Sequence, residues 1–206
     1  TLIADFERTL PDLRRAIEEG SIPWEPEGMF PTLDVVAAYH IVRTCQPASI
    51  IEIGSGASSL VLARALADNQ RGELTCIDPK PRREIEKTGA RIERRVLDID
   101  DTKFAEELAP NDILFIDSSH ILLQGMDVDI QFNRMFPRLP AGAIVHVHDI
   151  FLPEGYPAGW HRRHYSEQNA LIGWILSGSF AVIYPSFYVS SRLPKELKGG
   201  MGDRMP

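Results

Sequence analysis

The sequence predicts an α/β fold: a three-layer, doubly wound, mostly parallel sheet with an N-terminal helical extension. Two observations support this prediction. Short apolar runs alternate with helix-like segments, which is typical of parallel strands covered by helices on both faces. Five of these runs also end on or beside an acidic residue, and the carboxyl ends of parallel strands form one ligand-binding edge. The runs span residues 49–54, 74–78, 95–98, 112–117 and 143–149.

The segments between the runs carry helix signals. Thr9 and Pro11 open a predicted first helix over residues 9–19, and Gly20 closes it. Thr32 caps a second helix, which has an apolar stripe along one face. The second and later helices are predicted over residues 32–44, 58–67, 81–88, 102–108, 122–136 and 166–176.

The length of the chain fits one domain. Its 206 residues are enough to bury the core of a layered α/β fold, and they show no internal repeat or linker. We therefore predict a single domain over residues 1–206, in three parts. An N-terminal helix and loop occupy residues 1–31, the core occupies 32–189, and a flexible tail occupies 190–206. Residues 180–189, at the end of the core, are predicted to form a terminal strand or hairpin.

The composition excludes several classes of partner. A net charge of −7 argues against a nucleic-acid backbone, whose binding depends on Lys and Arg. No apolar run approaches the roughly 18–20 residues of a membrane span, and the first residues lack the basic-then-apolar pattern of a secretory signal. Cys45 and Cys76 lack the spacing of a disulfide framework or zinc site. We expect a cytoplasmic protein that acts on a small molecule or glycan. A homodimer is also expected, although no particular residue supports it.

A glycine-rich turn follows the first run and opens a helix. Gly54 and Gly56 allow a tight turn there and let a ligand approach the main chain. Asp78, at the end of the next run, is placed to bind both hydroxyls of a ribose. Two cofactors that contain adenosine fit this pattern, a dinucleotide such as NAD and S-adenosylmethionine.

Two residues favour S-adenosylmethionine. Ser59 stands where the dinucleotide fingerprint carries its third glycine. Glu52 would repel a pyrophosphate at this helix terminus, whereas the sulfonium and ammonium of S-adenosylmethionine are cations that an acidic edge attracts. Asp98, at the end of the third run, is placed to accept a hydrogen bond from the adenine amino group.

These motifs resemble a known family. Glu52-x-Gly54-x-Gly56, Asp78 and Asp98 resemble the successive cofactor motifs of class I S-adenosylmethionine-dependent methyltransferases, over about residues 32–189. The resemblance implies a Rossmann-like sheet of seven strands that ends in an antiparallel hairpin. It also implies a set of cofactor-binding residues. The set is Glu52, Gly54, Ser55, Gly56, Ser58, Asp78, Asp98 and Asp117.

Within that superfamily, two further segments resemble the small O-methyltransferases that include the catechol, sugar and macrolide enzymes. They are Asp117-Ser118-Ser119-His120 and His148-Asp149-Ile150, which follow the fourth and fifth runs. Adjacent strand ends would bring these side chains into one pocket. We predict catalytic roles for Asp117, His120 and His148.

Two mechanisms are consistent with the residues of this pocket. A neutral histidine with a pKa near 6.5 is well suited to take the proton of a hydroxyl as it attacks a methyl group. Alternatively, Mg²⁺ held by Asp117 and Asp149 would lower the pKa of the hydroxyl and fix its position. Metal-dependent relatives carry Asn or Asp after the second of these acids, where this chain has Ile150, so part of that metal site is missing. The sequence does not decide between His120, His148 and the metal.

The loop after the fifth run is a candidate lid. The lid spans residues 156–165, within a loop over residues 151–165, and combines aromatic and basic side chains, which suit the capture of a ring or an anionic group. The residues predicted to contact substrate are Trp160, Arg162, Arg163 and Tyr165.

The sequence therefore favours methyl transfer from S-adenosylmethionine to a hydroxyl of a small molecule, glycan or natural-product intermediate. Two alternatives remain. The first is an NAD-dependent oxidoreductase, which shares the type of sheet but lacks the third glycine here. The second is a relative that binds the cofactor and has lost catalysis, because a fold does not fix a function.

Overall fold

A computed structural model describes residues 5–25, 28–195 and 197. Its centre is a parallel sheet of five strands in the order β3-β2-β1-β4-β5. The strands are β1 (Ser49–Ile53), β2 (Glu73–Ile77), β3 (Arg91–Glu93), β4 (Ile113–Ile116) and β5 (Ile144–Val147). The chain reverses its direction of progress across the sheet between β1 and β4, which is where ligands bind in such folds.

Helices cover both faces of the sheet. They are α1 (Leu10–Glu18), α2 (Thr32–Cys45), α3 (Ala57–Asn69), α4 (Thr102–Glu107), α5 (Asp127–Ile130), α6 (Glu167–Leu176) and α7 (Ser186–Arg192). After Ile130 the chain continues helically through a π turn over Gln131–Met135 and a 3₁₀ turn over Phe136–Arg138. Further 3₁₀ turns are Phe6–Arg8, Ile85–Thr88, Ile99–Asp101 and Ala158–Arg163.

Two apolar clusters hold the layers together, one on each face of the sheet. Ile50 and Phe115 pack against α1, α2 and α3, whereas Ile51 and Leu114 pack against α4 and α5. Successive strand residues point to opposite faces, so β-branched and aromatic runs bury both sides at once. The predicted three-layer, doubly wound fold is confirmed.

The third predicted strand is wrong in its position. The strand is Arg91–Glu93, which pairs with β2, and the predicted run at residues 95–98 forms a loop. Arg95 binds the carboxylate of Asp101, and the side chain of Val96 is 68% exposed. The side chain of Arg95 thus forms an ion pair and that of Val96 meets solvent, so neither packs as a residue of the sheet would. Asp98 does not lie at a strand end.

The predicted terminal hairpin is also wrong. Within the described residues the sheet ends at β5, residues 180–185 are irregular, and Ser186–Arg192 is helical. Pro185 carries no N–H for a strand ladder and is placed just before the first turn of α7, where none is needed. Much of the predicted flexible tail, residues 196 and 198–206, lies outside the described residues.

Two predicted helices begin later than expected. The segment predicted over residues 122–136 becomes helical only at Asp127, whose carboxylate accepts hydrogen bonds from the N–H and hydroxyl of Ser119. The segment predicted over residues 81–88 shortens to the turn at Ile85–Thr88.

Among the described residues, no helix has both the length and the apolar character that crossing a membrane requires.

Candidate functional site

The glycine turn lies where β1, β2 and β4 end. Gly54 has φ +85°, and a Cβ at this position would lie 1.9 Å from the carbonyl oxygen of Asp117. Its N–H donates to the Ile77 carbonyl at 3.0 Å. Only glycine allows this left-handed conformation and this close approach together. The turn is thereby joined directly to the residue that follows β4.

The carboxylate of Glu52 lies beneath the turn rather than on the open edge. Glu52 is 0% exposed. It accepts hydrogen bonds from the hydroxyls of Ser58 and Ser59, both at 2.6 Å, and from the thiol of Cys76 at 3.1 Å. Burial raises the pKa of Glu52 to about 7. The expectation that this carboxylate lines the ligand edge is therefore corrected, since it holds the turn from inside.

Asp78 supports the outer side of the same turn. Its Oδ2 accepts from the N–H of Ser55 at 2.7 Å and from the hydroxyl of Ser55 at 2.8 Å, and its Oδ1 accepts from the N–H of Lys80 at 2.7 Å. A carboxylate offers about four acceptor positions, so Asp78 retains capacity for a ligand hydroxyl. Beside it, a Cβ built on Gly56 would meet no described atom within 4 Å, so the turn has an open face.

Asp98 lies apart from this arrangement. Its side chain is exposed and accepts a hydrogen bond from the N–H of Asp100 at 3.1 Å, at the start of the turn Ile99–Asp101. The expectation that Asp98 shares one edge with the other acids depended on the misplaced third strand. Its contact with adenine stays a prediction.

Asp117, His120, His148 and Asp149 form a cluster at the ends of β4 and β5. The Nε2 of His120 lies 3.3 Å from Oδ1 of Asp117 and 3.5 Å from Oδ2 of Asp149. The Nδ1 of His148 lies 3.3 Å from the same Asp117 oxygen and 3.6 Å from Oδ1 of Asp149. The sequence therefore correctly predicted that these four side chains meet.

Two further acids belong to the cluster, and sequence reasoning missed both. Glu167, the first residue of α6, places Oε2 2.8 Å from Nδ1 of His120. Asp34, in the first turn of α2, places Oδ2 3.5 Å from Nε2 of His148. The sequence predicts a helix over residues 166–176, but nothing in the local sequence shows that Glu167 reaches a histidine 47 residues away.

The electrostatics of the cluster follow from burial and charge. Burial lowers the pKa of His120, but the carboxylates of Asp117 and Glu167 outweigh it and raise that pKa to about 9. Burial likewise opposes the charge on His148, and Asp117 and Asp34 raise its pKa well above the ordinary value. Burial raises the pKa of Asp149. Burial also opposes the charge of Asp117, yet the two histidines hold its pKa below the usual range.

Two backbone conformations at this cluster are unusual. His120 has φ 60° and Asp149 has φ 57°, both in the left-handed region that side chains rarely adopt. Such conformations persist where the surrounding structure holds them, and they concentrate at functional sites. The backbone carbonyl of His120 accepts from the N–H groups of Ser166 and Glu167 at 2.8 and 3.2 Å. These bonds hold the strained residue against α6.

The candidate lid covers the cluster. The ring of Tyr165 lies 4.5 Å from that of His120, and 5.6 Å from that of Trp160. The guanidinium of Arg163 stacks 3.9 Å from the Trp160 ring. Arg162 is exposed. The lid thus brings three of the four predicted substrate residues into one aromatic and cationic group above His120.

A cavity of about 1790 Å³ opens beside the cluster, along the outer edge of β5. It exceeds the roughly 300–1,000 Å³ of a typical small-molecule pocket, so a substrate would fill only part of it. The glycine turn does not line it. The residues that border it near the cluster include Asp34, His148, Asp149, Trp160, Arg163 and Phe187. The glycine turn and the cavity therefore adjoin the cluster on different sides.

Residues 51–150 match a family model described as a methyltransferase domain. This segment contains the glycine turn, Asp78 and the whole cluster apart from Asp34 and Glu167. The prediction of a methyltransferase is confirmed, and hydride transfer becomes the weaker alternative. No curated protein shows significant similarity to the sequence.

Solved structures similar to this methyltransferase include two proteins described as O-methyltransferases. One is a protein assigned as a caffeoyl-CoA O-methyltransferase from Staphylococcus aureus, with 16% identity and a TM-score of 0.48, over 86% of this chain and 88% of that one. Another is TomG from Streptomyces achromogenes, involved in tomaymycin synthesis and solved in complex with S-adenosylmethionine. It has 22% identity and a TM-score of 0.44, over 80% of this chain and 78% of that one. Neither likeness bears on the substrate of this chain.

Proposed function

We propose that this methyltransferase moves a methyl group from S-adenosylmethionine to a hydroxyl oxygen of a small molecule. The observation that carries the proposal is the contact between Gly54 and the Asp117 carbonyl. It joins the turn that suits a nucleoside cofactor to a buried cluster of acids and histidines. Methyl donor and proton acceptor would therefore lie on either side of Asp117.

The residues of the turn fit this cofactor. The backbone around Gly56 is open, and Asp78 keeps acceptor capacity for ribose hydroxyls. Asp117, partly exposed and held ionised by two histidines, presents negative charge next to the turn. The chemistry that the bound cofactor supplies is an electrophilic methyl group on a positively charged sulfur. Glu52 and Ser58 serve it indirectly, because their side chains bind each other under the turn.

His148 is the better candidate for the proton acceptor. It borders the cavity, whereas Glu167 and the ring of Tyr165 occupy two sides of His120. The Nδ1 of His148 is buried and finds no hydrogen-bond partner among the described residues. A proton acceptor must be neutral, and the acids around His148 favour its charged form. A cation bound beside Asp117 would offset those acids and return His148 toward neutrality.

The lid would select the acceptor molecule. Trp160 and Arg163 border the cavity, and Tyr165 packs beside Trp160 and over the ring of His120. An aromatic acceptor with an anionic group would pair with these side chains. Arg162 would contribute only if the lid closes further. A glycan acceptor, a homodimer and a cytoplasmic location remain predictions from the sequence.

Release of S-adenosylhomocysteine tests the proposal. The protein would be incubated with S-adenosylmethionine and a panel of phenols, catechols and sugar hydroxyls. We expect turnover with at least one hydroxyl acceptor, and a loss of roughly 10²–10⁴-fold in kcat for His148→Asn. His161→Asn, which removes an exposed lid imidazole, should retain full turnover. Turnover with amines alone would overturn the choice of oxygen, and unchanged kcat in His148→Asn would overturn the choice of base.

A further inference from the structure

The geometry points to Gln168, the second residue of α6, as the residue that positions the lid and thereby sets how tightly the acceptor binds. Gln168 is 3% exposed and directly follows Glu167, the residue that contacts His120. The inference rests on the proposed function, because it assigns the lid to recognition of a methyl acceptor. The position of the lid itself can be tested without cofactor or acceptor.

Gln168 binds the first part of the loop that carries the lid. Its Oε1 accepts a hydrogen bond from the N–H of Phe151 at 2.9 Å, and its Nε2 donates to the carbonyl of Glu154 at 3.1 Å. Its backbone N–H donates to the hydroxyl of Tyr156 at 3.2 Å. Residues 151–157 form neither helix nor strand, so their backbone groups need partners from elsewhere. Gln168 supplies two of these partners and holds three positions of the loop.

The loop residues that Gln168 holds pack against the lid. The ring of Phe151 lies 5.2 Å from that of Trp160, and the ring of Tyr156 lies 5.6 Å from that of Tyr165. The planes of these pairs cross at 80° and 79°, an edge-to-face arrangement that aromatic rings favour. Fixing Phe151 and Tyr156 therefore fixes the two lid rings that are predicted to contact substrate.

The same turn of α6 also holds the catalytic cluster. Glu167 places Oε2 2.8 Å from Nδ1 of His120, and its N–H donates to the His120 carbonyl at 3.2 Å. Two consecutive residues of one helix thus bind the cluster and the loop of the lid. Because a helical backbone is stiff, the distance between the lid rings and His120 is set at this point.

An amide is the side chain that this buried position requires. It offers an acceptor to the N–H of Phe151 and a donor to the carbonyl of Glu154 at the same time. Leucine would leave both backbone groups without their partner, which is costly in a buried place. Glutamate would keep the acceptor but lose the donor. Gln168→Leu and Gln168→Glu therefore remove the two bonds in graded steps, and Gln168 acts as a positioning residue.

Limited proteolysis with trypsin tests the position of the lid. Trypsin cleaves after Arg162 and Arg163, which are exposed on the lid, once the backbone there can leave its place. We expect cleavage at these two bonds to become at least about 10-fold faster in Gln168→Leu, because the lid opens locally, with cleavage elsewhere unchanged. Asn169→Leu, which removes an exposed amide from the next position of α6, is the matched control. Equal rates at the two arginines in wild type and Gln168→Leu would overturn the proposal.

Steady-state kinetics test the consequence for the acceptor. We expect Gln168→Glu to raise KM for the acceptor by about 10-fold with a small change in kcat, and to leave the binding of S-adenosylhomocysteine unchanged. Asn169→Leu should change none of these values. A fall in kcat with unchanged KM would overturn the inference, since Gln168 would then act on the cluster instead of the lid.

The two proposals fail in different ways. Turnover confined to amine acceptors would overturn the choice of oxygen, but the KM of wild type and Gln168→Glu could still be compared. Equal KM in these two proteins, with a hydroxyl acceptor turned over, would overturn the role of Gln168 alone.

Discussion

The hydroxyl of Ser59 donates to the buried carboxylate of Glu52 at 2.6 Å. The same oxygen accepts the N–H of Gly56 at 3.0 Å. Ser59 thus ties the glycine turn to an acid under the sheet edge. This explains why position 59 is not the glycine of a dinucleotide fingerprint, whose third glycine allows close packing of helix on strand. In this chain the position holds the shape of the turn by hydrogen bonding.

Replacing Ser59 by alanine should loosen the turn. Ser59→Ala removes the partner of the Gly56 N–H and leaves that oxygen of Glu52 with the Cys76 thiol alone, which costs about 1–3 kcal/mol. We expect a lower free energy of unfolding in urea and weaker binding of S-adenosylhomocysteine. Ser190→Ala, at an exposed position, is the matched control. Unaltered stability in Ser59→Ala would show that the hydroxyl does not hold the turn.

Glu52 should make stability depend on pH. Burial raises the pKa of Glu52 in the folded protein to about 7 from an ordinary 4.5. Between pH 4.5 and 7 the folded protein therefore holds a proton on Glu52 that the unfolded chain has lost. Binding of this proton stabilises the fold by about 3 kcal/mol below pH 4.5, and the stabilisation is lost as the pH rises through 7. Glu52→Gln removes the titrating group. The difference in unfolding free energy between wild type and this variant should therefore change across pH 4.5–8.

The control for this titration is Glu73→Gln, which removes an exposed acid at the start of β2. Its unfolding free energy should follow the wild-type curve at every pH. If Glu52→Gln also followed that curve, the carboxyl of Glu52 would not titrate in this range.

Gly54 and Gly56 should respond differently to alanine. Gly54→Ala forces a Cβ into the Asp117 carbonyl at a φ that alanine disfavours, so both stability and cofactor binding should fall sharply. Gly56→Ala meets no described atom within 4 Å and should fold normally. If the cofactor packs on the open side of the turn, Gly56→Ala will still weaken S-adenosylhomocysteine binding. Full affinity in Gly56→Ala would mean that the cofactor lies elsewhere.

Arg163 should affect binding of the acceptor more than the chemical step. It borders the cavity and is held over Trp160. We expect Arg163→Ala to raise KM for an anionic acceptor by about 10-fold with a small change in kcat. The lost contact stabilises the bound acceptor and the transition state equally. Arg134→Ala, exposed on the π turn after α5, should change neither constant. A fall in kcat alone would place Arg163 in the chemistry instead.

Much of the fold and part of the site followed from local sequence. β1, the glycine turn and α3 are adjacent in the chain, so strand pattern and glycine spacing identified them together. The strand ends at Asp117 and His148 followed from the general geometry of parallel sheets. The error at β3 arose because Arg95-Val96-Leu97 has a strand-like composition, while the true register is set by pairing with Thr75, Cys76 and Ile77.

The rest of the site depends on contacts between distant segments. Glu167 reaches His120 from α6, and Asp34 reaches His148 from α2. Local propensity carries no information about such pairs. The burial of Glu52 was missed for a related reason. Alternation along β1 places its side chain on the face covered by α3, where two serines bind it.

The central claim is that the turn at Gly54 and Gly56 binds the adenosyl group of a methyl donor. Calorimetric titration with S-adenosylhomocysteine and, separately, with NAD tests it most directly. We predict micromolar binding of S-adenosylhomocysteine to the wild type, loss of that binding in Asp78→Ala, its retention in Asp100→Ala, and no binding of NAD. Binding of NAD in place of S-adenosylhomocysteine, or of neither, would contradict the account.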